Sequence, residues 1–193
     1  MSKEDLRFCD VTHTYFYKGK EVAGVTTILS DVGIADFSGV PTHNLEKAAN
    51  RGTDIHLACD RFDRDGTIVK EDDAYPYVQQ WVDFCDLFKP KWELIEEQVF
   101  CHNSLYAGTL DRLGRIGGRT VLVDIKTGAK SKSHPIQTAA YVMAYRGDRV
   151  RRIERWCVYL TPKTFKVEEH TSIQDSAVFL SALNVYKYKK ASK

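Results

Sequence analysis

The segment Val121-Leu122-Val123-Asp124-Ile125-Lys126 limits what this chain can fold into more than any other. It follows Gly117-Gly118, and before those glycines runs an apolar stretch from Tyr106 to Ile116 that contains Asp111. Paired glycines between two such stretches signal a tight hairpin, so both read as antiparallel strands. Side chains alternate along a strand, which puts Leu122, Asp124 and Lys126 on one face and Val121, Val123 and Ile125 on the other. Charge is costly to remove from water unless it is paired or bound to a cation, so an acid and a lysine inside an apolar strand need a reason. Counting six residues back from the turn reaches Asp111 and six forward reaches Asp124, which makes the two acids neighbours across the hairpin. Facing carboxylates repel one another unless a cation lies between them. Mg²⁺ or Mn²⁺ suits such oxygen donors. Lys126, roughly 7 Å from Asp124 along the same face, is placed to orient a water or to neutralise charge developing on a phosphate.

The rest of the chain reads as helices, strands, helix, strands, helix. Thr14–Tyr17 and Glu21–Ala23 flank a turn at Gly19. Val25–Leu29 opens a short helix with a threonine cap, and residues 31–41 form a loop. Asn44 to Phe62 has helical pattern, with Gly52 as a break, and Asp65-Gly66 is a turn. Tyr75–Phe88 is amphipathic, with Val78, Trp81, Val82 and Cys85 at helical spacing. Trp92–Phe100 precedes the two strands of the hairpin. Ser133 caps a helix over Pro135–Tyr145, on which Gln137 and Tyr141 share a face one turn apart. They anchor a phosphate, brace Lys126, or lie on an outer face. Trp156–Leu160 and Thr164–His170 are strands, and Gln174–Lys190 is a helix. The pattern predicts one α/β domain over residues 1–193. A hairpin and helices fill 1–90, a core 91–160, and a last strand and helix 161–193.

Cys9, Cys59, Cys85, Cys101 and Cys157 are scattered and include no C-x-x-C pair. That argues against a disulfide framework or zinc knuckle and favours a reducing, intracellular setting. No apolar run is long enough for a membrane span. The net charge of +2 is uninformative, because a nucleic-acid binder needs a local basic surface. Arg146, Arg149, Arg151, Arg152 and Arg155 form one basic cluster, and Lys187, Lys189, Lys190 and Lys193 another. Lys130 and Lys132, just beyond Lys126, lie where a phosphate backbone would pass.

Taken together, these segments resemble the PD-(D/E)xK nuclease superfamily, and within it the RecB-like and phage-type exonucleases. Gly108-Thr109-Leu110-Asp111 is similar to the group's G-x-x-D segment, Asp124-Ile125-Lys126 to (D/E)-x-K, and Gln137 to Tyr141 to Q-x-x-x-Y. Upstream, Arg51 to His56 resembles an R-G-x-x-x-H helix, and Gly24 to Leu29 a segment near the start of phage-type members. The likeness runs over residues 15 to 160.

The resemblance implies a central mixed β-sheet flanked by helices, the restriction-endonuclease-like core. It implies a metal held by His56, Asp111, Asp124 and the Ile125 carbonyl, with Glu97 as a further acid and Glu96 on the opposite side. Asp111, Asp124, Lys126, Gln137 and Tyr141 are the catalytic set, and Arg51, Lys130, Lys132, Gln137 and Tyr141 face DNA. Some relatives carry an iron–sulfur cluster; with Cys157 alone after Tyr141, none is expected here. The implied function is divalent-metal-dependent DNA hydrolysis from an end, in phage-type recombination, replication or repair. A structure-specific endonuclease and a non-cleaving DNA-binding module on the same fold are the alternatives. A recombination partner and a homo-oligomer both stay open.

Overall fold

The computed structural model describes residues 5–9, 11–36, 38–39, 41–146 and 152–191. Arg149, Arg151, Lys193 and the Arg146 side chain, part of the expected basic clusters, lie outside the described residues. The elements run β1 Leu6–Cys9, β2 Thr14–Tyr17, β3 Lys20–Gly24, α1 Val25–Asp31, α2 Thr42–Asp65, α3 Tyr75–Phe88 and β4 Lys91–Cys101. They continue with β5 Tyr106–Ile116, β6 Arg119–Lys126, α4 Ser133–Arg146, β7 Glu154–Leu160, β8 Phe165–Glu169 and α5 Gln174–Ala191.

The strands form one eight-stranded sheet in the order β1-β2-β3-β5-β6-β7-β8, with β4 on β5. β3–β5 and β6–β7 are parallel pairs and the others antiparallel. The fold is therefore mixed α/β, as expected. Alternation along β6 sorts the core into two layers. Leu122 joins α1, α4 and α5 through Ile28, Leu29, Ala140, Phe179 and Leu183. Val121, Val123 and Ile125 join α2 and α3 through Ile55, Cys59, Trp81 and Phe84. The hairpin closes as predicted, with Ile116 opposite Arg119. Gly117 and Gly118 both take positive φ, 54° and 81°, as the twist of a two-residue turn requires. Among the described residues no helix is long and apolar enough to cross a membrane.

Three local expectations are corrected. α2 runs unbroken through Gly52, because a single interior glycine costs only about 1 kcal/mol, which a packed helix absorbs. The cap of α1 is Gly24, with no side-chain hydrogen bond, rather than a threonine. α4 starts at Ser133 itself, whose N–H donates to the Ser131 hydroxyl at 3.2 Å. β1 is an addition: only four residues long, it forms a strand because β2 offers it a free edge.

The topology opens a fork in the sheet. β4 occupies one edge of β5 from Tyr106 to Arg115. The other edge is shared, with β6 along Arg112–Ile116 and β3 on Tyr106 and Ala107. Between them, from Gly108 to Asp111, that edge has no strand partner among the described residues. On the β4 side, the register shifts between Trp92 and Leu94, and a Cβ on Gly114 would collide with the Lys91 carbonyl. Gly114→Ala is expected to destabilise the fold by roughly 1–3 kcal/mol, read as a lower Tm. An unchanged Tm would mean that the end of β4 retreats freely.

Candidate metal centre and active site

The candidate side chains of α2, β5, β6 and α4 gather at the fork. β5 leaves β6 after the Arg112–Val123 pair, and one further step in that register sets Asp111 against Asp124. The ladder stops there, and the Asp111 carboxylate takes the place of a strand by accepting the Ile125 N–H at 2.6 Å. From the α2 side, His56 Nδ1 lies 3.6 Å from Asp111 Oδ2 and 3.8 Å from Glu96 Oε1. Its Nε2 is 3.1 Å from the Ile125 carbonyl. Among the described residues, His56, Glu96 and Asp111 form a group whose donor atoms all lie within 4.8 Å of one another.

Glu96, rather than Glu97, is the acid that the fold brings beside His56 and Asp111. The β4–β5 register pairs Ile95 with Arg112 and Glu97 with Leu110, which belongs to the α4 core. Glu96 therefore falls across from Asp111, and its φ of +50° breaks regular alternation at that point. The Glu96-Glu97 doublet is a visible signal in the sequence. Choosing between its members requires a register that sequence does not contain.

On the α4 side, Asp124 and Lys126 form an ion pair at 2.7 Å, with side chains 2% and 18% exposed. Lys126 Nζ donates to Gln137 Oε1 at 3.1 Å, and Gln137 Nε2 donates to the Tyr141 hydroxyl at 2.8 Å. Gln137 and Tyr141 are buried because α4 turns this face to the sheet. They brace the lysine, which excludes the outer-face reading. Asp124 is committed to Lys126 and stands outside the triad, although its charge acts on both His56 and Asp111.

Electrostatics single out the same spot. Burial raises the pKa of Asp111, and repulsion from Glu96 adds to it against the pull of His56. For His56, burial alone would lower the pKa, but Asp111 and Glu96 outweigh it and leave it raised. Burial raises Asp124 against Lys126. Burial would lower Lys126, yet Asp124 and Asp111 hold it above the usual lysine value. Two acids that repel each other beside an imidazole are what a divalent cation would relieve.

The expected phosphate contacts fare unevenly. Lys132 is exposed at the end of the loop that joins β6 to α4. Lys130 is paired with Glu168 at 2.5 Å and lies over the Tyr159 ring, so a phosphate there would compete with that pair. Arg51 is exposed on α2, and five residues on a helix turn it about 140° away from His56. Sequence reasoning missed Arg112 altogether, although it is a second charge in the apolar strand beside Asp111. Its Nη1 donates to Glu96 Oε1 at 2.8 Å.

Gly108 has a packing role. A Cβ there would stand 2.5 Å from the Tyr141 ring and 3.3 Å from Val25. Gly108→Ala should push Tyr141 off Gln137 and cost roughly 1–3 kcal/mol, seen as a lower Tm together with weakened function of Lys126. A variant unchanged in both would remove Tyr141 from the brace.

No family model matches this sequence, and neither does any curated protein. Among solved structures, the crystal structure of SSO0001 is similar over 83% of this chain and 71% of that one, at 15% identity and a TM-score of 0.45. A likeness that distant has no bearing on function.

Proposed function

We propose that this chain is a divalent-metal-dependent deoxyribonuclease that hydrolyses phosphodiester bonds. The supporting observation is the convergence of His56, Glu96 and Asp111 within 4.8 Å, at the fork that also carries the Asp124–Lys126 pair. One imidazole nitrogen and carboxylate oxygens suit Mg²⁺ or Mn²⁺ better than a thiolate-seeking ion. His56, Glu96 and Asp111 would hold the cation, with the Ile125 carbonyl beside them and Asp124 adding charge. When bound, the ion polarises a phosphoryl oxygen and lowers the pKa of a water.

The chain's own residues supply the rest. Lys126, kept protonated by Asp124, is a poor general base and a good stabiliser of charge developing on phosphate. Gln137 and Tyr141 fix the direction of its ammonium. Asp111 holds the mouth of the fork through the Ile125 N–H. Exposed Lys132 meets the backbone of the incoming strand. The resemblance to RecB-like nucleases favours attack from a DNA end, with structure-specific endonuclease action as the second form. Linear DNA and a covalently closed circle of the same sequence, incubated with purified protein and Mg²⁺, separate these forms. Loss of the linear DNA alone is the expected result. Cutting of the circle assigns endonuclease action, and survival of both refutes cleavage.

A further inference from the structure

Behind Glu96 lies a buried charged cluster to which the reaction assigns no role. Arg112 is fully buried. Its Nε donates to Asp63 Oδ2 at 2.6 Å, and its Nη1 donates both to Glu96 Oε1 at 2.8 Å and to the Asp111 carbonyl at 2.7 Å. Asp63, seven residues beyond His56 on α2, is nearly as buried, with its side chain 2% exposed. It accepts Trp81 Nε1 at 3.0 Å and Trp92 Nε1 at 3.1 Å. The two indoles stack with centroids 5.8 Å apart, and the guanidinium lies over Trp81. Ladder pairing does not fix Glu96, which takes a positive φ where the β4–β5 register skips it. A rigid planar fork, anchored on one side, can set the direction of a carboxylate on the other.

We propose that Arg112 is a positioning residue for the metal centre: held by Asp63, Trp81 and Trp92, it fixes the Glu96 carboxylate beside His56 and Asp111. The role rests on the metal-centre reading above and deepens it. It also accounts for the use of arginine, since a lysine is a point charge that cannot span Asp63 and Glu96 together.

The test is Mn²⁺ titration, followed by the electron paramagnetic resonance signal of the free ion, on wild type, Arg112→Lys, Glu96→Gln and the double variant. Each single variant should weaken Mn²⁺ binding by on the order of tenfold. The double variant should be no weaker than Glu96→Gln by more than about twofold, because Arg112 acts through Glu96. A purely structural role would add its loss to that of Glu96→Gln. Additive losses, or wild-type affinity in Arg112→Lys, overturn the proposal while leaving the metal centre standing. Absence of Mn²⁺ binding by wild type overturns both. Should Arg112→Lys lack the wild-type circular dichroism spectrum, Asp63→Asn, which keeps an acceptor for the indoles, takes its place with the same expected losses and the same overturning results.

Discussion

Lys126→Ala is expected to lower the single-turnover rate of DNA cleavage by about 10³-fold, the scale seen when a preorganised stabiliser of transition-state charge is removed. DNA affinity should change little. The lysine is mostly buried, held by Asp124 at 2.7 Å and by Gln137 at 3.1 Å, and contributes little surface to an approaching strand. On the proposed reading, its charge acts where phosphate charge grows, so the loss should fall on the rate rather than on binding. Mn²⁺ affinity should also survive, because Lys126 is outside the triad. Cleavage near the wild-type rate in this variant would remove the catalytic role from the Asp124–Lys126 pair.

Asp63→Ala is expected to be the most destabilising of the single changes, at about 3–5 kcal/mol. The carboxylate faces a fully buried guanidinium at 2.6 Å and also accepts two indole N–H groups. Removing it strands a charge that Glu96 and one backbone carbonyl alone cannot satisfy. For a chain of this size the Tm should fall by on the order of 10 °C, measured by thermal unfolding. The exposed Lys89–Asp86 pair, with side chains 74% and 71% exposed, is the control. Solvent screens such a pair, so its loss should go unnoticed. A Tm for Asp63→Ala within error of wild type would show that Arg112 finds other partners.

The parts of this fold written in short-range pattern are legible in the amino-acid order itself. The period-2 alternation of β6, the Gly117-Gly118 turn and the amphipathic α3 each follow from spacing alone. With the helix that carries Gln137 and Tyr141, they set Asp111, Asp124 and Lys126 within one neighbourhood. What spacing does not contain is register and the closing of long-range gaps. Glu96 and Glu97 are equivalent until β4 is laid on β5, and a positive φ at Glu96 then decides between them. Lys130 reads as available because Glu168 is distant in sequence and adjacent only once β6, β7 and β8 pair. Arg112 and Asp63 lie 49 positions apart, and their pairing depends on α2 packing across the sheet. Long-range charge pairing, rather than local propensity, is where the amino-acid order is silent.

The proposed metal-dependent phosphodiesterase site is built on His56, Glu96 and Asp111. Release of label from end-labelled linear DNA, followed for wild type and Asp111→Asn in Mg²⁺, in Mn²⁺ and in EDTA, tests it most directly. Release by wild type is expected in either cation and not in EDTA, and Asp111→Asn should release none under any of the three conditions. Intact DNA with wild type in both cations, or release that EDTA leaves unchanged, would contradict it.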